Sequence, residues 1–381
     1  LLRLCARETS GGRFIPQIDG LRSLAVIAVL LYHLDEQLGR PGVTGWLDRM
    51  FVSGVRRGFL GVPLFFGISA FIVGMPFALH ALRGARAVEL GRFYVRRLTR
   101  LEPPYILNLV LLWGLGLLLG KWTAAASVGG LGASLIYQHN QIFGYFSTVN
   151  SVAWSLEVEF QFYFLAPLFL FVFRVSRAWL RRALILASVV LVVAIRDPEN
   201  RRVQLSLLGH WESFAAGLLV LDVYLTRWRE QLPRLWAWDV AGLLGWLGFF
   251  GLSRLEDPTL RSVVQSGCLM AGMLGSLGGR AFSAIFGQRW VFTFGGMCYS
   301  FYLWHQVLLI HLVPWLKPWL PVEGGYWVRF GVAALGTIPW VALVCTLAFV
   351  GVEKPFMRRD WPARVRRWWQ GDEGRGTRAG R

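Results

Sequence analysis

The sequence predicts an all-α protein, a polytopic bundle of about ten transmembrane helices. Of its 381 residues, 55% are hydrophobic and only 16% are charged, whereas soluble domains carry about 25% charged residues. The apolar residues also fall in runs of roughly 20, enough for a helix to cross a hydrocarbon layer of ~30 Å. Both observations argue against a soluble enzyme.

Apolar runs bounded by arginine, proline or glycine clusters mark the predicted spans. In chain order they cover residues 18–34, 58–80, 104–120, 154–173, 183–195, 203–225, 236–253, 262–278, 291–316 and 330–352. The stretch 131–146 is apolar but holds four consecutive polar residues from Gln138, which favours a re-entrant or interfacial segment. Residues 1–356 are therefore expected to form one transmembrane domain. Residues 357–381 are expected to form a basic, disordered cytoplasmic tail.

The net charge of +18 reflects membrane topology and not nucleic-acid binding. If the N-terminus is cytoplasmic, roughly two thirds of the 40 lysines and arginines lie in cytoplasmic segments, as the positive-inside rule requires. This bias predicts that both termini are cytoplasmic and that the number of spans is even. No small-residue cleavage site follows the first apolar stretch, so we expect it to be retained.

Several kinds of chemistry lack a sequence basis. The four cysteines stand singly, without the spacing of a zinc site or a disulfide framework. The sequence contains no GxSxG, Walker or HExxH motif, which argues against serine hydrolysis, nucleotide hydrolysis and zinc catalysis. We therefore expect no metal.

Charged side chains in the first span are candidate functional residues, because each costs about 2.5–3.5 kcal/mol to insert. Asp19, Arg22 and His33 are the residues concerned. Arg22 and His33 are eleven positions apart, about 16 Å of helical rise and ~20° of rotation, so both lie on one face. An anionic cofactor bound at Arg22 could extend toward the imidazole. The alternative is an interfacial histidine that only pairs with Glu36.

Arginines form a second candidate site just before the third span. Arg92, Arg96 and Arg100 recur at i, i+4 and i+8, with Arg97 beside them. Such a stripe of guanidinium groups suits phosphate or pyrophosphate, which each group can bind through two hydrogen bonds. The alternative is that these arginines face lipid headgroups and set the topology.

Two further spans carry polar groups. Near the start of the fourth, Glu157 and Glu159 point to different helix faces. We expect Glu159, one turn before Tyr163, to face the bundle and Glu157 to lie nearer water. The alternative is a structural salt bridge. In the ninth span Tyr302 and His305 are neighbours at i, i+3, unless they belong to an interfacial aromatic belt.

Six sequence blocks, in order, resemble the signatures of the acyltransferase-3 family of bacterial membrane O-acyltransferases. The first runs from Arg13 through Ala25 to His33 and contains an arginine, ten residues and a histidine, which fall on Arg22 and His33. The others are Gly61–Phe71, Arg97–Tyr105, Trp154–Tyr163, Tyr299–His305 and Val352–Pro355. Outside this resemblance, Glu353 would be read as a cap or a snorkelling pair at the end of the tenth span.

The resemblance implies an O-acyltransferase of the bacterial cytoplasmic (inner) membrane. Its donor would be cytoplasmic acyl-CoA, usually acetyl-CoA, and its acceptor a sugar hydroxyl in a surface glycan, a lipid-linked glycan or a glycosylated metabolite. Membrane lipids and this acceptor are the expected partners. A homo-oligomer is left open, and no nucleic acid is expected.

The same resemblance assigns roles to the candidate residues. His33 and Glu159 would be catalytic, with His33 either a general base or the carrier of a transient acyl-imidazole. The donor phosphates would be bound by Arg22, Arg92, Arg96, Arg97 and Arg100. The substrate side would be lined by Asp19, Ser69, Trp154, Ser155, Tyr163, Tyr302 and His305.

Two alternatives to this interpretation can be stated. A transporter of acyl groups or lipid-linked glycans would use the same intramembrane charges without bond chemistry. A different class of membrane acyltransferase would rely on another buried histidine, for which His139 beside Asn140 would serve.

Overall fold

The computed structural model describes residues 2–7, 14–40, 43, 45–252, 255, 257–321, 323–357 and 361. Within these residues every regular element is helical, which confirms the all-α class. Arg13, at the head of the first signature, lies outside the described residues. So do residues 358–360 and 362–381, which make up nearly all of the predicted tail.

Eighteen α-helices follow one another in the described part of the chain. They are α1 Leu2–Cys5, α2 Pro16–Leu38, α3 Trp46–Arg56, α4 Gly61–Arg83, α5 Leu90–Leu118, α6 Ala124–Leu135, α7 His139–Phe143, α8 Trp154–Phe169, α9 Ala178–Ile195, α10 Arg201–Gln204, α11 Leu207–Thr226, α12 Trp236–Gly251, α13 Pro258–Gly278, α14 Ala281–Phe286, α15 Arg289–Gly296, α16 Cys298–Leu316, α17 Tyr326–Ala348 and α18 Lys354–Met357.

Several of these helices are long and apolar enough to cross a membrane. Among the described residues six stretches qualify: Pro16–Leu38, Trp46–Arg83, Leu90–Leu118, Ser151–Arg174, Ala178–Ile195 and Tyr326–Met357. All six contain or overlap predicted spans. The four remaining predicted spans are also helical in the structure. Helices α11, α12, α13 and α16 coincide closely with them. The chain is a multi-pass membrane protein.

Helix α5 differs from the prediction at its start. The predicted span begins at residue 104, after Pro103, but the helix runs without a break from Leu90 to Leu118. A proline inside a helix removes one backbone hydrogen bond and crowds the preceding turn, which membrane helices tolerate where neighbours satisfy the freed groups. The arginine cluster and the apolar span therefore belong to one continuous helix.

Helix α2 is central to the bundle and contacts α4, α15, α16 and α17. Its first turns touch α15 so closely that a Cβ on Gly295 would lie 1.8 Å from the carbonyl oxygen of Asp19. Ser23 Oγ also donates to the carbonyl of Val291 at 2.5 Å. The predicted ninth span is accordingly two helices, α15 and α16, with the break at Met297.

The stretch predicted to be re-entrant or interfacial forms two short helices. Helix α6 has 12 residues and α7 has five, and a helix of 12 residues is only about 18 Å long. The turn between them places Tyr137 at φ 57°. Helix α7 packs on the start of α8, so it covers a face that the sequence suggested was near water.

A buried ion pair joins α9 to α11. The side chains of Arg181 and Asp222 are both fully buried, and their charged groups are 2.5 Å apart. Arg182 Nε donates to the second carboxylate oxygen of Asp222 at 2.6 Å. A charge taken out of water without such a partner is strongly unfavourable, so this pair depends on both members.

Candidate active site

His33 lies near the end of α2, which we call the histidine end, with one ring nitrogen bound. Its Nδ1 is 2.6 Å from Glu36 Oε2, one turn along the helix. Tyr32 donates from its hydroxyl to the other oxygen of the same carboxylate at 3.0 Å. Because an ionised carboxylate only accepts hydrogen bonds, Nδ1 carries the proton. The lone pair on Nε2 is then available for a proton or an acyl group.

Helix α16 faces His33 with two polar side chains. The rings of His33 and His305 are 5.1 Å apart, and Gln306 Nε2 is 3.5 Å from His33 Nδ1. Ser151 donates to Gln306 Oε1 at 2.5 Å, which holds that amide in place. His33 therefore faces other helices, and its side chain is only 14% exposed.

His305 is a second histidine with a defined tautomer. Its Nδ1 lies 2.7 Å from the carbonyl of Phe301 and 2.9 Å from that of Tyr302. Carbonyl oxygens only accept, so Nδ1 is the donor and Nε2 carries a lone pair. That Nε2 is buried and has no hydrogen-bond partner in the described part of the chain. Two imidazoles with free Nε2 atoms thus lie side by side.

The other end of α2, which we call the arginine end, holds an ion-pair cluster. Arg22 donates to Asp19 at 2.6 Å, and Asp19 is almost completely buried. Arg7, which follows α1, approaches the other oxygen of Asp19 at 3.1 Å. Sequence reasoning missed Arg7, because it lies outside every signature. One carboxylate is therefore shared between two guanidinium groups.

The arginines of helix α5 differ in their exposure. Arg97 stacks over the rings of Phe93 and Tyr163, at 4.6 and 4.7 Å. Its Nε and that of Arg100 are buried without a hydrogen-bond partner among the described residues. Arg92 and Arg96 are exposed. Arg97 and Arg100 therefore point inward. The predicted stripe does not face the bundle as a whole, because only its last member, Arg100, is turned inward.

Glu353 joins the arginine end as a buried carboxylate. It lies in the π-helical turn Phe349–Glu353 that follows α17 and is 1% exposed. Ser300 donates to it through its amide and its hydroxyl, at 3.1 and 2.6 Å. Glu353 therefore does not snorkel to the surface, because a π-turn carries the side chain into the bundle. There it caps the first turn of α16 through the Ser300 amide.

A third polar cluster involves α4 and α8. Ser69 donates to Glu159 at 2.5 Å, and Tyr163 also donates to Glu159. Ser155 and Tyr302 are linked at 2.9 Å, and the Tyr302 hydroxyl donates to the carbonyl of Val152. The structure thus gathers most of the predicted substrate side chains. The carboxylate that contacts His33, however, is Glu36 and not Glu159.

A cavity of about 250 Å³ opens between α5 and α8. Its lining surface is almost wholly apolar, although Arg97, Glu102 and Glu159 are among the residues that line it. Its lining also includes Leu98 and Phe164, which are exposed. His33 is not among its lining residues. The cavity therefore lies beside the inward-facing Arg97 and does not reach the imidazole.

The prediction that Glu157 lies near water is wrong. Glu157 is completely buried, and one oxygen accepts from the backbone amide of Asn140 at 2.8 Å, because α7 folds over the start of α8. His139 is also buried, with its ring against Phe143 and Tyr145. Its Nδ1 lies 3.2 Å from the carbonyl of Tyr145. It thus occupies a separate aromatic cluster.

Trp154 begins α8 within a group of aromatic rings. His210 lies 5.3 Å from it, Phe146 6.0 Å and Phe66 6.4 Å, measured between ring centroids. The indole is partly exposed. In the described residues no group of three or more histidine, cysteine, aspartate or glutamate side chains could hold a metal ion.

Comparison with known proteins places the chain in a family. A family model described as an acyltransferase domain matches residues 15–352. The chain is 24% identical over 336 residues to the peptidoglycan O-acetyltransferase OatA of Listeria monocytogenes, covering 80% of this chain and 51% of the relative. No solved structure matches.

Two further relatives match over shorter stretches. A provisionally named peptidoglycan O-acetyltransferase of Bacillus subtilis, YrhL, is 30% identical over 209 residues, covering 50% of this chain and 30% of the relative. A provisionally named O-acetyltransferase of Staphylococcus aureus is 31% identical over 167 residues, 42% of this chain and 25% of the relative. The chain thus spans at most about half the length of these proteins. Because the family model covers nearly all of the chain, the protein belongs to the acyltransferase-3 family.

Proposed function

We propose that this protein transfers an acetyl group from cytoplasmic acetyl-CoA to a hydroxyl of a sugar. The observation that carries the proposal is the contact between His33 Nδ1 and Glu36, which leaves a lone pair on Nε2. Arg22, on the same helix face about 16 Å away, supports a donor that is anchored at one end and reacts at the other.

The proposed setting is the bacterial inner membrane, with ten spans and both termini in the cytoplasm. Helices α11, α12, α13 and α16 have 16 to 21 residues. At 1.5 Å per residue they are about 24–31 Å long, close to the thickness of the hydrocarbon layer. Added to the six apolar stretches they give ten. The arginine end then faces the cytoplasm, where coenzyme A is made.

The donor phosphates are bound by Arg22, Arg97 and Arg100. The unpaired Nε atoms of the last two support this, since a planar guanidinium binds phosphate oxygens through paired hydrogen bonds. Arg92 and Arg96 are exposed at the start of the same helix, and their role is to attract the anion rather than to hold it. The pantetheine arm, a long flexible chain, then extends toward His33.

The chemistry assigned to His33 is proton or acyl transfer at Nε2. As a general base, Nε2 takes the proton of the acceptor hydroxyl while its oxygen attacks the thioester carbonyl. The carbon–sulfur bond breaks, and the thiolate takes that proton. In the acyl-imidazole route Nε2 attacks the carbonyl itself, the carbon–sulfur bond breaks and the CoA thiolate leaves. The acceptor oxygen then attacks the acyl carbon, the bond from that carbon to Nε2 breaks, and the hydroxyl proton passes through the imidazole to the thiolate.

A hydrogen-bonded group beside Arg97 consists of Ser69, Glu159 and Tyr163. We assign this group a supporting role in the reaction. The acceptor side is assigned to Trp154, Ser155, Tyr302 and His305. The indole of Trp154 is partly exposed, and such a ring suits stacking against a sugar ring. A glycan acceptor accords with the names of the Listeria and Bacillus relatives, a peptidoglycan O-acetyltransferase and a provisionally named one.

Release of free thiol tests the proposal. The purified chain in lipid nanodiscs is incubated with acetyl-CoA and peptidoglycan fragments, and the thiol is detected with a chromogenic reagent. We expect turnover in wild type and none above background in His33→Ala. His311→Ala, which changes an exposed histidine on α16, is the matched control. Wild-type turnover in His33→Ala would refute both roles of the imidazole.

Labelling without an acceptor separates the two routes. With radiolabelled acetyl-CoA alone, an acyl-imidazole enzyme retains label that is lost in His33→Ala, whereas a general-base enzyme retains none. The label is checked after rapid acid quenching.

A further inference from the structure

The N-terminal segment, residues 2–7, is docked on the arginine end. Cys5 is 4% exposed and lies in a buried cluster that includes Met297 and Phe349. Lys354 Nζ donates to the carbonyl of Leu4 at 2.6 Å. The aliphatic part of Arg7 lies over Gly296, where a Cβ would come within 3.6–3.7 Å of it. Three separate contacts thus hold this short segment against the bundle.

Docking leaves the guanidinium of Arg7 short of partners. It shares Asp19 with Arg22, and its Nε approaches the Asp19 carboxylate at 3.1 Å. Its Nη1 is buried with no hydrogen-bond partner among the described residues. Arg22 and Arg100 lie close enough to interact with it electrostatically. Buried nitrogen donors without acceptors are rare and point to a ligand that supplies oxygens.

The electrostatics lead to the same kind of ligand. Burial lowers the pKa of the Arg7 guanidinium below its ordinary value, the charge of Arg22 lowers it further, and Asp19 opposes both. Arginine nevertheless stays charged in proteins, so each of these buried cations needs negative charge close to it. The described carboxylates that interact with Arg7, Arg22 or Arg100 are Asp19, Glu159 and Glu353. Glu159 also interacts with Arg97, so four guanidinium groups share three carboxylates.

We infer that Arg7, carried by the docked N-terminal segment, binds a phosphate group of the acyl donor together with Arg22 and Arg100. This inference rests on the proposed function. Arg7 lies outside residues 15–352, the part that the family model matches. The segment therefore adds a donor contact to the bundle and contributes to the preference for a phosphorylated carrier over a bare thioester.

A comparison of donors tests this role. Acetyl-CoA and acetyl-pantetheine, which lacks all phosphates, are compared as donors for the full chain in phosphatidylcholine nanodiscs. We expect Arg7→Ala to raise KM for acetyl-CoA about tenfold, since a charge-assisted contact is lost, and to leave KM for acetyl-pantetheine unchanged. Arg7→Lys, which keeps the charge but not the fork, should recover part of the loss. Arg86→Ala, an exposed arginine at a helix connection, is the control.

Direct binding separates this inference from the proposed function. Adenosine 3′,5′-bisphosphate is titrated into wild type and Arg7→Ala, with folding checked by size-exclusion chromatography, and we expect about tenfold weaker binding in the variant. Turnover in wild type with equal binding in both proteins would overturn the inference alone. An equal rise of KM for both donors would also overturn it, because the role would be structural. Absence of both turnover and binding in wild type would overturn the two together.

The phosphate could instead come from an anionic lipid headgroup. The titration is therefore repeated in nanodiscs that contain phosphatidylglycerol. If Arg7 holds a headgroup, wild type and Arg7→Ala bind the bisphosphate equally in neutral nanodiscs, and only wild type retains spin-labelled phosphatidylglycerol. That result would contradict the donor assignment.

Discussion

Glu36 determines which nitrogen of His33 is free, so its removal has a calculable effect. The carboxylate accepts from Nδ1 at 2.6 Å, and its side chain is 37% exposed. A hydrogen bond to a charged group contributes about 1.5–3 kcal/mol, and solvent screening of a partly exposed group favours the lower value. Since about 1.4 kcal/mol is tenfold in rate, we predict that Glu36→Gln lowers kcat about tenfold. Glu36→Ala, which also frees the tautomer, should lower it about 100-fold.

The assay is thiol release at saturating acetyl-CoA, so that kcat is read without a change in donor binding. KM for the donor should stay within about twofold in both variants, because the arginine end is about 16 Å away. Glu199→Gln, an exposed glutamate in the loop after α9, serves as the matched control. Unchanged kcat in both Glu36 variants, with His33→Ala inactive, would refute the orienting role of the carboxylate.

Three further predictions concern donor binding and stability. Arg97→Ala and Arg100→Ala should each raise KM for acetyl-CoA by about 10–100-fold and KM for the acceptor by much less, measured from thiol-release kinetics. Asp222→Asn should lower the free energy of unfolding by about 3–5 kcal/mol, measured by denaturant unfolding in detergent, because it leaves a buried arginine without its counter-charge. Gly295→Ala should reduce the folded yield, read from fluorescence-detected size exclusion, since the new Cβ would meet a backbone carbonyl at 1.8 Å.

Each of these has an outcome that contradicts it. An equal rise of KM for donor and acceptor would remove both arginines from the donor site. A denaturant unfolding curve for Asp222→Asn that matches wild type would show that the α9–α11 ion pair does not stabilise the bundle. Gly129→Ala changes a helical glycine with no atom within 4 Å of the new Cβ. If it loses as much folded protein as Gly295→Ala, the steric argument fails.

Hydrophobic runs predict the helices well, because a membrane-spanning helix must be apolar over its length. The predicted sixth and eighth spans, for example, end within a residue of α11 and α13. Local sequence signals mispredict helix boundaries where contacts with neighbouring helices determine them. Pro103 does not begin a helix, since the bundle tolerates the lost hydrogen bond, and Gly296 helps end one in the middle of an apolar run.

The candidate site was predictable where its residues share one helix. The spacing of Arg22 and His33 places them on one face, and Glu36 follows one turn later. Contacts between distant segments were not predictable. Nothing local indicates that α7 covers Glu157, that a π-turn brings Glu353 to Ser300, or that the N-terminal segment returns to Asp19.

The central claim is that a donor held at the arginine end presents its acyl carbon to His33, and affinity labelling tests it most directly. Bromoacetyl-CoA carries an electrophilic carbon at the acyl position, and the modified residue is identified by peptide mass spectrometry. The account predicts alkylation of His33, blocked by excess acetyl-CoA and strongly reduced in the Arg97→Ala/Arg100→Ala double variant. Labelling of His139 in place of His33, or undiminished labelling of His33 in the double variant, would contradict it.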